Sequence, residues 1–213
     1  LFDGKSLQGW HVASRPEDRD KVFWQVRDGA ITCDSLGRKD HNYVWLISDG
    51  EFSDFEMTVQ IRGFRQSPGN SGIQFRSRYD QALGWLHGPQ ADVHPPAPFR
   101  TGLIYDETRE TRRWIYPSLP DWKIEPSQGP KRWTWRFSDE GDGWNELRIV
   151  AVGTKIKTTL NGIVMTDFDA TGILDDESHR RHNVGLRGHF ALQLHDKDEL
   201  LIQYRDFRVR SLP

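Results

Sequence analysis

Along this chain the apolar positions recur at every second residue, and no long stretch keeps a helical period. Strict alternation puts successive side chains on opposite faces of a strand, so the pattern predicts half-buried β-strands rather than amphipathic helices. Strands are predicted at 22–26, 29–33, 43–47, 55–64, 71–79, 90–94 and 101–106. Others are predicted at 132–137, 145–153, 155–160, 163–168, 189–195 and 200–210. Asn161-Gly162 between two alternating runs predicts a two-residue type I′ hairpin. The Pro-rich stretch 80–130 predicts long loops at one rim, with a short helix at 106–113. Many short strands without a repeat period point to a sandwich or barrel, and no linker divides the chain, so one β domain over 1–213 is expected.

Three of these strands carry an unusual second face. In GNSGIQFRSR and the following Tyr79, the positions Ile73, Phe75 and Tyr79 suit a core, leaving Gly72, Gln74, Arg76 and Arg78 opposite. QADVH sets Gln90, Asp92 and His94 on one side, and HFALQLH sets His189, Ala191, Gln193 and His195 on one side. A merely solvated face more often shows Lys, Glu, Thr and Ser. Gln and Arg present directed donors and acceptors that match vicinal hydroxyls or a developing oxyanion. Scattered surface polarity explains any single strand equally well.

Composition narrows the partners. The 213 residues are 36% hydrophobic, enough for a sizeable core, and include nine Trp, a surplus that fits a core plus a platform for sugar rings. Basic and acidic residues number 29 and 31 and are well mixed, with a net charge of -2, so nothing points to nucleic acid or an anionic membrane. Cys33 is the only cysteine, which excludes an internal disulfide and a cysteine-based metal site. Neither a signal peptide nor an apolar run long enough to span a bilayer is visible, and the abrupt start at Leu1 leaves the compartment open.

The ordered motifs LFDGKSLQGWHV, FWQVRDGAI, SDFEMTVQIR, GNSGIQFRS, GPQADV, GLIYDE, WNELRIVAVGTKIKTTLNG, FALQLHD and IQYRDFRVRSL run through the whole chain. Together they closely resemble the 3-keto-disaccharide hydrolase domain family. The resemblance implies an all-β, concanavalin A-like jelly-roll β-sandwich of two antiparallel sheets with long rim loops. It also implies a bacterial protein working in the periplasm or outside the cell, and activity on glycosides oxidised at C3. Many members carry Glu-x-Gln where this chain has Gln90-Ala91-Asp92, and Pro89 replaces an aromatic residue.

A 3-keto group acidifies the C2 hydrogen, so cleavage requires a base at C2, a cation or donor near the C3 oxygen and an acid at the leaving group. No cofactor is expected, because the oxidation occurs elsewhere. Asp92 is the candidate base, with a structural turn bond as its plain alternative. Arg76 is the candidate oxyanion partner or else a cross-strand ion pair, and His195 the candidate acid. Asp106 and Glu107 are candidate acid/base carboxylates or divalent-metal ligands, or else a charged turn.

Gln74, Arg78, Gln90, His94, Gln193 and Asn70 are candidate sugar contacts, and Trp85, Trp114 and Trp122 candidate stacking platforms. Tyr105, alternating with Leu103, is expected on the core side, and Arg109, Arg112 and Arg113 in a solvated turn. No metal site is expected: SHRRH (178–182) reads as exposed loop, and SDEGDG (138–143) lacks EF-hand spacing. Competing functions are a non-catalytic carbohydrate-binding module and a glycosidase using Asp92 with Glu107. Oligomeric state is open.

Overall fold

The computed structural model describes residues 1–67, 69–95 and 99–213. Its strands are β1 (Trp10–Ser14), β2 (Trp24–Arg27), β3 (Ala30–Asp34), β4 (Val44–Phe52), β5 (Phe55–Gly63), β6 (Ser71–Asp80), β7 (Trp85–His87) and β8 (Pro89–Val93). Then come β9 (Ile104–Asp106), β10 (Trp114–Tyr116), β11 (Asn145–Val152), β12 (Lys155–Leu160), β13 (Ile163–Asp169), the helix α1 (Glu177–His182), β14 (Gly188–Leu194) and β15 (Leu201–Ser211). One sheet runs β1-β4-β14-β6-β8-β9-β10, with β7 paired to β6; the other runs β13-β12-β11-β5-β15-β3-β2. All of these strand pairs are antiparallel. The chain is thus a jelly-roll β-sandwich.

Alternation builds the interior. β5 buries Phe55, Met57, Val59 and Ile61 and turns Glu56, Thr58, Gln60 and Arg62 outward. These meet Ile73, Phe75, Leu192, Leu194, Val44 and Leu46 of the opposite sheet in one core. The type I′ hairpin forms as expected, with φ of 49° at Asn161 and 78° at Gly162 joining β12 to β13.

The outer face of the first sheet is not a solvated surface. A second apolar cluster of Trp45, Ile47, Trp85, Leu86 and Ala191 covers part of it, with Tyr43 and Tyr79 packed alongside. A third cluster, Leu103, Tyr105, Trp114 and Ile124, is built by the rim segments. Gln74, Gln90, Asp92 and Gln193 are therefore buried although they face away from the sandwich core.

Four expectations from the pattern need correction. The segment 132–137 forms no strand: β5 already has β11 and β15 on its two edges, so only Phe137 bridges to Gly63. No helix forms at 106–113, because the Asp106 carboxylate captures the Thr108 amide (3.0 Å) and the Thr111 hydroxyl (2.6 Å) in a local turn. SHRRH is not an exposed loop but most of α1, with His179 fully buried. Finally, the parity of β6 reverses partway along. Arg76 has φ of 51°, and the β6–β14 register slips between His189 and Ala191. An extra residue in a ladder moves every later side chain to the other face. Tyr79 accordingly packs with the outer cluster, while Ile73 and Phe75 stay in the core.

Candidate active site

The outer face of the first sheet and the rim loops enclose a cavity of about 430 Å³. Its lining includes Asp92 and Gln90 from β8, Tyr105 from β9, Trp114 from β10, Tyr43 just before β4 and His195 just after β14. Asn70, Arg100, Glu107, Arg112 and Trp122 join from loops. Gly72 makes room for this arrangement: a Cβ there would lie 2.2 Å from Cδ of Gln90, so a side chain on β6 would displace the glutamine.

Glu107 is the most perturbed acid of the site. Its amide donates to Gly88 O (3.0 Å), its carbonyl accepts from Trp85 Nε1 (2.8 Å), and its carboxyl accepts from Gln193 Nε2 (3.2 Å). Burial raises its pKa to about 7; Gln193 and the charge of Arg112 oppose the rise, and the charges of Asp92 and Asp106 add to it. A carboxyl with that pKa can both take and return a proton near neutrality.

Asp92 faces different company. Its carboxylate accepts from Arg100 Nε at 2.8 Å and from Gln90 Nε2 at 3.3 Å. The Oε1 atom of Gln90 is buried without a hydrogen-bond partner among the described residues, leaving an acceptor for a ligand hydroxyl. Across the cavity the Tyr43 hydroxyl lies 2.8 Å from His195 Nε2. His195 Nδ1 lies 3.2 Å from the carbonyl of Asp196, so a proton on Nδ1 leaves Nε2 to accept from the phenol. Burial, then the nearby charge of Glu107, pushes the Tyr43 phenol well above its usual range and keeps it neutral. Tyr105 is likewise raised to about 12, chiefly by burial.

Several candidates lie elsewhere. Arg76 is not in the cavity: the bulge turns it into one end of the sandwich, where it donates to Ser53 O (2.6 Å), Gly153 O (2.5 Å), Gly185 O (3.2 Å) and Asp54 (3.0 Å). Arg78, on the far side of the same bulge, pairs with Glu51 and donates to Asn183 O (2.7 Å). Asp106 is sealed behind the loop, 3.3 Å from His179 Nε2. Burial opposes charge on that histidine, but Asp106 and Asp176 outweigh it and raise its pKa. Asp106 thereby ties the loop carrying Glu107 and Arg112 to α1.

Gln74 is buried beside Leu86, to whose carbonyl it donates (3.3 Å), and does not reach the cavity. Gln193 also stays behind the lining and acts on Glu107. His94, past the end of β8, is outside the lining. Trp85 is a buried support behind Glu107, unlike Trp114 and Trp122, which face the cavity. Tyr105 does share a side with Leu103, but that side is the outer cluster; Ile104 takes the sandwich core.

Tyr43, Arg100 and Arg112 escaped the sequence reading. Tyr43 alternates with Trp45 and Ile47 and so looks like another core position; Arg100 and Arg112 sit in loops without a period. Arg112 is exposed at the end of the turn, as expected, and also joins the lining.

Asp80, His87 and His182 bring potential metal-ligand atoms within 4.8 Å of one another. The two imidazoles stack at 3.8 Å with planes 12° apart, so their in-plane lone pairs run side by side instead of converging. We assign no metal centre to this group.

Residues 1–210 match the family model described as the 3-keto-alpha-glucoside-1,2-lyase-like domain. No curated protein matches the chain in sequence. Among solved structures, a candidate glycosyl hydrolase from Parabacteroides distasonis superposes with a TM-score of 0.62 at 14% identity, covering 100% of this chain and 93% of that one. A Bacillus subtilis protein with a galectin-like fold gives 0.62 at 14% identity, covering 96% and 90%. The carbohydrate-binding module CBM66 from Bacillus subtilis gives 0.53 at 16% identity, covering 95% and 96%. At these identities the likeness is one of fold.

Proposed function

The chain belongs to the 3-keto-alpha-glucoside-1,2-lyase-like domain family, and from that premise we propose that it cleaves glycosides oxidised at C3 by elimination and hydration, with Glu107 as the base. The observation that carries this reading is a buried carboxyl with a pKa of about 7 lining a cavity that also holds a neutral phenol and a guanidinium. Asp92 yields the role of base because Arg100 and Gln90 already occupy its oxygens.

In this mechanism Glu107 removes the C2 proton, and the electron pair left behind forms an enolate whose charge on the C3 oxygen is met by Arg112. The enolate collapses and the C1–O bond breaks, its electrons leaving with the glycosidic oxygen. Tyr43 supplies the proton that oxygen needs, and His195, 2.8 Å away, relays its replacement. Water then adds across the C1–C2 double bond: hydroxide goes to C1, its proton passes through His195 to the Tyr43 phenolate, and the proton on Glu107, exchanged with solvent by then, goes to C2, so the sum is hydrolysis. Asp92, Gln90 and Asn70 are the hydroxyl contacts, and Trp114 and Trp122 the walls against the ring. The family resemblance supports a periplasmic or extracellular setting for this work; no helix among the described residues is long and apolar enough to cross a membrane.

The test is incubation with a 3-keto-glucoside and its unoxidised parent in D₂O. The expected result is cleavage of the keto form alone, with deuterium entering at C2. Cleavage of the parent would favour a two-carboxylate glycosidase using Asp92 and Glu107. Binding without turnover would favour a carbohydrate-binding module, a reading to which the exposed Trp122 at 66% lends the stacking surface.

A further inference from the structure

Beside the cavity lies a second hollow of about 310 Å³, and the two share Tyr43 and Arg112 as a common wall. The hollow holds four cationic side chains, Arg15, Arg109, Arg112 and Lys197, against the single carboxylate of Asp196. This is a local reversal in a protein whose net charge is -2. None of the four forms an ion pair among the described residues, whereas Arg27, Arg65, Arg78, Arg100 and Arg148 each meet a carboxylate at 3.2 Å or less. Two of the guanidiniums lie over one aromatic ring: Cζ of Arg109 is 4.4 Å and that of Arg112 5.3 Å from the Trp85 ring centroid. These cation–π contacts place both guanidiniums beside the hollow, where Arg112 also hydrogen-bonds the Tyr105 hydroxyl. Arg15 is seated by Gly84, where a Cβ would come within 2.8 Å of its Cγ.

We propose that this hollow is a subsite for an oxyanionic substituent, a carboxylate or a sulfate ester, on the leaving-group sugar. The proposal rests on the glycoside-cleaving reading for its substrate, but its anion chemistry is independent of it. A sugar ring in the main cavity faces Tyr43, the assigned donor to the glycosidic oxygen, so the next residue of the substrate passes across Tyr43 and Arg112 into the cationic hollow. Forked guanidinium donors match the geometry of a carboxylate or sulfate.

The test compares the 3-keto forms of a glucosyl-glucuronate and a glucosyl-glucose, in wild type and in an Arg109→Gln/Lys197→Asn double variant, with inorganic sulfate titrated in parallel by NMR of the arginine side chains. The acidic substrate should show about tenfold higher kcat/KM at low salt. That advantage should vanish in the double variant and in high salt, as screening requires. An unchanged rate on the neutral substrate shows that the variant is folded. Equal kcat/KM for both substrates, with no sulfate-induced shift in wild type, overturns the proposal. If neither keto-glycoside is cleaved but sulfate shifts the arginines of wild type and not of the variant, the anion site stands and the glycoside reading falls.

Discussion

Gln193 donates its side-chain amide to the carboxyl of Glu107 across 3.2 Å, from β14 to the loop beyond β9. A neutral amide steadies the acid without the full charge that would hold it ionised, so burial dominates. Asp92 meets the guanidinium of Arg100 instead, at 2.8 Å. Two carboxyls of one cavity are thus set apart by their partners, one suited to proton transfer and one to holding a hydroxyl.

The pH dependence of turnover should follow Glu107. As a base it acts only when ionised, so kcat for a 3-keto-glycoside should climb about tenfold per pH unit on the acid side and level off near pH 7. Glu107→Gln should lower kcat by about 10²- to 10⁴-fold. A flat profile from pH 5 to 8 would remove Glu107 as the base.

The same carboxyl makes a prediction about folding. Its folded pKa of about 7 lies above the ordinary 4.5, so the folded state binds this proton more tightly than the unfolded chain. The stabilising contribution is therefore fully present below pH 4.5 and is lost as pH rises through 7, a change of about 3 kcal/mol. Denaturant titration should find Glu107→Gln close to wild type at pH 4.5 and more stable at pH 8. A variant less stable than wild type at both pH values would contradict the assignment.

In the proposed mechanism, Tyr43→Phe removes the donor to the leaving oxygen. Its kcat on an alkyl 3-keto-glucoside should fall by about 10²-fold with little change in KM. On a 4-nitrophenyl 3-keto-glucoside, whose leaving group needs no proton, most of the rate should return. Equal losses on the two substrates would assign Tyr43 to positioning.

Asp92→Asn should raise KM by about tenfold and leave kcat within a few-fold of wild type, because it weakens a sugar contact and leaves Arg100 without its counter-charge. Steady-state kinetics on the keto substrate separates the two constants. A collapse of kcat alone would return Asp92 to the role of base.

Arg76→Lys is expected to act on the fold. An ammonium cannot span three carbonyls and Asp54 together, so denaturation should show a loss of about 3 kcal/mol, while kcat and KM of the remaining folded enzyme are preserved. Unchanged stability with lost turnover would put the guanidinium back into the chemistry.

Period-2 alternation in the sequence determined most strands, the Asn161-Gly162 hairpin and the apolar interior, because pleating converts that pattern directly into two faces. It also marked Gln90, Asp92 and His195 as polar positions on strands or strand ends, without showing that those strands share a sheet. Only the tertiary structure decided which of the candidate side chains share a cavity. A single inserted residue at Arg76 reverses parity, and no count along the chain reveals where the opposing strand will slip. Tyr43, Arg100 and Arg112 come from a strand margin and two loops whose positions depend on packing against other segments. Glu107 owes its raised pKa to burial by groups distant in sequence, and desolvation is a property of the assembled surroundings.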